Sequence, residues 1–148
     1  MAREMKHPVF GILVLRPDEW RWAGMLDHGG VKVPLSLNTY RPDQVPGLHI
    51  TEIVDTYCDG LQMILPQIAA YLRQVAVWIC SDLHQWFEER PALDVDTVLH
   101  RLKLSSVDLK PDGSVSLWID EPHLEDSGHI IKALIGTDGK IKRLDLAG

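Results

Sequence analysis

The chain has 148 residues, with 15 Lys and Arg against 21 Asp and Glu for a formal net charge of −6, and it is 45% hydrophobic and 24% charged. These are the proportions of an ordinary globular domain rather than a disordered tail, and a chain of this length buries roughly two thirds of its extended-chain surface around one core. The acidic balance argues against nucleic acid as a partner, because binding to a phosphate backbone is driven by clustered Lys and Arg.

Val9 to Leu15 is continuously apolar and predicts a strand covered on both faces. Arg3 and Lys6 precede it, but the run stops at Arg16-Pro17-Asp18 without a small-residue cleavage site, so a strand is expected rather than a signal peptide and the protein is expected in the cytoplasm. Glu19 to Leu26 alternates with period two, placing Trp20, Trp22, Gly24 and Leu26 on one side. Two large rings on one face predict core, with an aromatic binding surface as the other reading. Asp27-His28-Gly29-Gly30 supplies positive-φ residues for a hairpin into Val31 to Leu37, where Pro34 predicts an edge strand or a bulge. The first third therefore reads as a three-stranded meander.

Arg41 to Gly47 carries two prolines and a glycine and reads as a loop. Ile50, Ile53, Val54, Tyr57, Cys58 and Leu61 then recur at helical spacing, with Thr51 as N-cap. Ile64, Ile68, Leu72, Val75, Ile79, Leu83 and Trp86 mark a second helix, with the break near Gly60 to Leu65 because Pro66 suits a first turn. Leu61 to Cys80 is interrupted by Gln62, Pro66, Gln67, Arg73 and Gln74, so no membrane crossing is expected. Asp94 caps a third helix that buries Val95, Val98, Leu99 and Leu102.

From Leu104 the period returns to two, through Val107 and Leu109, then Val115, Leu117 and Ile119, with Trp118 facing the other way. A polar loop, Asp120 to Gly128, leads to a strand His129 to Ile135, and Thr137-Asp138-Gly139-Lys140 turns the chain into Ile141 to Leu146. The expected architecture is a single α+β domain over residues 1–148: an N-terminal antiparallel meander, two or three central helices, and a C-terminal antiparallel meander that can join the first sheet.

Candidate chemistry is sparse. Asp120, Glu121, His123, Glu125, Asp126 and His129 place six oxygen and imidazole donors within ten residues, and His123, Glu125 and His129 are the set that would hold zinc or another divalent metal in a small metal-dependent enzyme. The bland alternative is a solvated loop, since the stretch lacks the His-x-x-x-His spacing of a helix-borne site. Cys58 lies on the apolar face of its predicted helix, where a thiol behaves as a small hydrophobe. Two cysteines are too few for a disulfide scaffold and are expected to be reduced. No Gly-x-Gly-x-x-Gly, phosphate loop, Gly-x-Ser-x-Gly or calcium loop occurs, and no cofactor is expected.

Charge is distributed unevenly. Between Arg41 and Arg73 there are four acids, Asp43, Glu52, Asp55 and Asp59, and no base; between Lys110 and Lys132 there are five, Asp112, Asp120, Glu121, Glu125 and Asp126, again with no base. Glu52, Asp55 and Asp59 can share one helix face. Such surfaces keep a chain in solution, and they also steer basic partners. The expected partner surface is thus Glu52, Asp55, Asp59, Asp120, Glu121, Glu125 and Asp126, facing a basic protein, with the chain a monomer or a homodimer joined through an edge strand such as Val31 to Leu37.

Trp22-Ala23-Gly24, Gly128-His129-x-Ile131, Asp138-Gly139-x-Ile141 and Leu146-x-Gly148 together resemble a bacterial family of domains of unknown function. The resemblance implies an α+β fold and, because such relatives sometimes occur among immunity-type proteins that neutralise toxins, a non-enzymatic binding role. Glu125-Asp126-Ser127 stand where the pattern has a large apolar or aromatic residue.

Overall fold

The computed structural model describes residues 3–7, 9–16, 21–38, 50–83, 87 and 93–148. Its strands are β1 (Arg3–His7), β2 (Gly11–Arg16), β3 (Arg21–His28), β4 (Val31–Asn38), β5 (Lys103–Leu109), β6 (Val115–Asp120), β7 (Ile130–Ile135) and β8 (Ile141–Ala147). Its helices are α1 (Ile50–Ile64), α2 (Ile68–Asp82), α3 (Val95–Arg101) and α4 (Pro122–Asp126), with a 3-10 turn Leu65–Gln67 between α1 and α2. The fold is α+β: one eight-stranded sheet in sequential order β1 to β8, antiparallel throughout except where β4 meets β5. The helical segment is the crossover at that parallel joint, which requires a connection longer than a turn.

Alternation in the strands becomes continuous apolar rows once they are paired. Gly24, Leu35, Val107, Leu117, Ala133 and Leu144 lie side by side across six strands, and Trp22, Leu37, Leu109, Val115, Ile135 and Ile141 form the next row. The core is built on these rows together with Tyr57, Leu61, Ile64, Ile68, Tyr71, Val75, Ala76 and Ile79 of the helices. Two tyrosines fix the helices to the strand ends: Tyr57 donates its hydroxyl to the Asn38 carbonyl, and Tyr71 donates to the Gly139 carbonyl at 2.7 Å. The helical stretch Asp55–Asp82 is long and apolar enough, by length and composition, to cross a membrane. A third of its most apolar window is buried, and that part packs into this core.

Several expectations change. The N-terminal meander has four strands, because Arg3–His7 pairs with β2 through a turn in which Val9 and Phe10 amides donate to His7 Nδ1 at 3.1 and 3.4 Å. Val9–Leu15 is not covered on both faces: Leu13 is buried while Ile12 is 56% exposed. The strand Val31–Asn38 is interior, not an edge, and Pro34 falls one residue outside its three-pair ladder to β5. Ile50 is already helical, so Thr51 is inside helix α1 rather than its cap. The chain from Asp120 to Gly128 is not simply a loop but contains α4.

Of the residues expected to be buried on α3, Val98 is buried while Val95, Leu99 and Leu102 are half-buried, and three other local readings hold. Gly29 and Gly30 take φ of 59° and 82° in the two-residue β3–β4 turn, as that tight hairpin requires. The helical break falls at Leu65–Gln67 with Pro66 in its first turn. Asp94 caps α3 by accepting from the Thr97 amide at 2.9 Å. Trp22 is core, and Trp20, Trp86, Asp43 and the loop Arg41–Gly47 lie outside the described residues.

Candidate functional site

The acidic residues divide between the two ends of the sheet. Helix α1 crosses the end carrying the β5–β6 and β7–β8 turns: a methyl built on Gly113 would lie 3.2 Å from Thr137 Cγ2 and 3.6 Å from Thr56 Cγ2. Asp55 and Asp59, on either side of Thr56, are exposed there, and neither has an ion-pair partner among the described residues. The backbone of Glu52 lies in the same helix, while its side chain is outside the described residues. Helix α4 follows β6 at the opposite end, six residues along that strand, so Glu125 and Asp126 form a separate exposed patch. The second base-free stretch is thereby split: Asp112 lies on the β5–β6 turn at the α1 end, whereas Glu125 and Asp126 lie at the other.

The charges of α1 act on their surroundings. Burial pushes the Cys58 thiol up, and the carboxylates of Asp55 and Asp59 push it further. Cys80 is raised by burial and then by Asp94. Both thiols are free and half-buried.

Glu121 is not a surface residue. Its side chain is 0% exposed and caps α4, accepting from the amides of His123 and Leu124 at 2.9 and 3.1 Å and contacting His123 Nδ1 at 2.9 Å. Phe87 packs on the His123 ring with centroids 5.4 Å apart. This carboxylate is committed to local structure and cannot present itself to a partner. Asp120 is half-buried and stands opposite Lys103 in the β5–β6 register.

The structure does not gather His123, Glu125 and His129 into a ligand set. His123 turns Nδ1 toward Glu121, Glu125 is exposed on α4, and His129 is half-buried just before β7. Among the described residues, no group of three His, Cys, Asp or Glu side chains could hold a metal ion.

The sheet face opposite the core rows carries polar contacts that sequence alternation alone does not reveal. Trp118 Nε1 donates to Asp108 Oδ2 at 3.0 Å, Lys132 Nζ sits 5.3 Å from the Trp118 ring centroid, and Arg21 Nη1 donates to Ser36 Oγ at 2.7 Å. Alternation opposite the core marks these residues as sharing a face; only the strand register brings Asp108, Trp118 and Lys132 together. No family model matches the chain, and neither a curated protein nor a solved structure matches it.

Proposed function

We propose that the chain is a non-enzymatic protein-binding module of the immunity type, presenting the acidic face of α1 to a basic protein partner. The observation that carries this reading is the exposed pair Asp55 and Asp59, one helical turn apart, in a stretch with no Lys or Arg from residue 42 to residue 72. Carboxylates with no ion-pair partner among the described residues keep their field in solvent, where it accelerates encounter with a basic surface. The resemblance of Trp22-Ala23-Gly24 and the C-terminal turn motifs to domains found among immunity-type proteins supports the same role. A reducing compartment such as the cytoplasm suits the two free thiols.

The test is affinity capture from a native-host lysate with wild-type chain and with Glu52→Lys/Asp55→Lys/Asp59→Lys, followed by binding kinetics on the purified captured protein. A basic protein retained by the wild type, lost by the variant, and associating more slowly as salt rises is the expected result. Retention of nothing above background, or retention indifferent to the reversal, overturns the reading.

A further inference from the structure

Strands β1 and β8 end the sheet, and the outer edge of neither pairs with another described strand. Uncovered strand edges are templates for further pairing, and proteins blunt them with charge and shortness. In the five-residue β1, Arg3-Glu4-Met5-Lys6-His7, four positions are charged or titratable. That edge is guarded. Strand β8 sorts its residues differently. Ile141, Leu144 and Leu146 stand opposite Ile135, Ala133 and Ile131 on the helix-covered face; the three β7 residues are fully buried, whereas the three on β8 are only half-buried. The core thus reaches the rim of the sheet with its last apolar row incompletely covered.

We propose that the partner of this edge is a second copy of the chain, joined by antiparallel β8–β8 pairing about a two-fold axis at Leu144. The sequence around that point is self-complementary. Over the regular stretch that follows the bulge at Lys142, an axis at Leu144 sets Arg143 opposite Asp145 of the second copy, and Asp145 opposite its Arg143. Within one chain Arg143 Nε already approaches the Asp145 carboxylate at 2.7 Å, and Lys132 of β7 stands opposite Asp145. Pairing two copies therefore extends an alternating array of charges on the face opposite the core rows. On the other face it sets Leu144 against Leu144, extending the row that runs from Gly24 through Ala133.

Neighbouring registers are worse. An axis at Arg143 or at Asp145 opposes two like charges, which destabilises a cross-strand pair. Strand-edge contact alone buries less than a standard interface of about 1,600 Å², so the dimer dissociates on dilution.

Light scattering or sedimentation over a wide concentration range reads the equilibrium between the 16.7 kDa chain and twice that mass. Arg143→Asp is expected to raise the dimer Kd by about tenfold or more, since it opposes like charges at two places, and Arg143→Asp/Asp145→Arg is expected to restore dimer formation. Under mild oxidation Leu144→Cys is expected to give a dimer whose 144–144 disulfide is found by peptide mapping, because directly opposed residues lie within disulfide reach, while Leu146→Cys, four positions from its own copy in this register, is not. A chain that stays monomeric at every concentration overturns the proposal. So does a dimer indifferent to Arg143→Asp that cross-links as readily at 146 as at 144.

Discussion

At the scale of single residues, the sequence misleads most at Glu121. It stands in a base-free acidic run between Asp120 and Glu125, and composition gives it the same standing as its neighbours. Its difference lies in the chain turning into α4 immediately after it, which leaves two amides in need of an acceptor and removes the carboxylate from water. Pro122 at the first helical position is the signal that could have found it, since proline there follows an N-cap. Glu121→Ala is expected to cost about 1–3 kcal/mol by leaving those amides unsatisfied, with Glu121→Gln costing less because its amide oxygen still accepts. Urea unfolding checks both, and equal losses for the two variants would contradict the capping role. The cysteines give a second prediction at this scale. Because burial and nearby carboxylates raise both thiols, alkylation by iodoacetamide at neutral pH is expected to run slower than for free cysteine and to accelerate as pH climbs beyond the usual thiol range. Labelling at the free-cysteine rate would mean that the native environment of the thiols is more open than their burial indicates.

At the scale of elements, legibility followed locality. The β3–β4 hairpin, the α3 cap and the break at Pro66 each rest on residues within a few positions of one another, and each is present where its residues demand. Strand β1 was illegible for the same reason. Arg3-Glu4-Met5-Lys6-His7 has no apolar alternation of its own, and it is a strand because β2 offers it an edge and His7 accepts the turn amides. The Trp22-Ala23-Gly24 motif gains a physical meaning from the next strand. A methyl at Gly24 would lie 2.8 Å from Leu13 Cδ2 and 3.4 Å from the Ile12 carbonyl oxygen, so the missing side chain is the space that the fully buried Leu13 occupies. Gly24→Ala is therefore expected to destabilise by about 1–3 kcal/mol through overpacking. Trimming the intruding group in Leu13→Val/Gly24→Ala should recover part of that loss. A double mutant whose thermal unfolding shows only additive damage would rule out this contact as the cause.

At the scale of the whole molecule, two meanders become one sheet through three residue pairs, Leu35–Leu37 of β4 against Val107–Leu109 of β5. Nothing local encodes that joint, because the partners are some seventy positions apart and the helical crossover between them decides which strands meet. The candidate site follows the same rule: Asp55, Asp59, Glu125 and Asp126 were legible as acids and are exposed, but the crossover places the first pair at one end of the sheet and the second at the other. Acid distributed in this way makes stability depend on pH with a definite sign. The Ser114 hydroxyl and amide hold the Asp112 carboxyl below the usual range; the Thr97 amide does the same for Asp94, and the Lys142 ammonium for Asp138. A carboxyl whose folded value is depressed contributes stability above its unfolded value, near pH 4, and that contribution is lost as pH falls through the folded value. Melting temperature is accordingly expected to fall modestly between about pH 5 and pH 2, because Asp112, Asp94 and Asp138 are all exposed and solvent screens each of them. Asp112→Asn keeps an oxygen for the Ser114 amide but has no charge to lose, so its melting temperature should lie below wild type at neutral pH and converge on it in acid. Curves that stay parallel across the whole range would show that the Asp112–Ser114 pair carries no proton-linked stability.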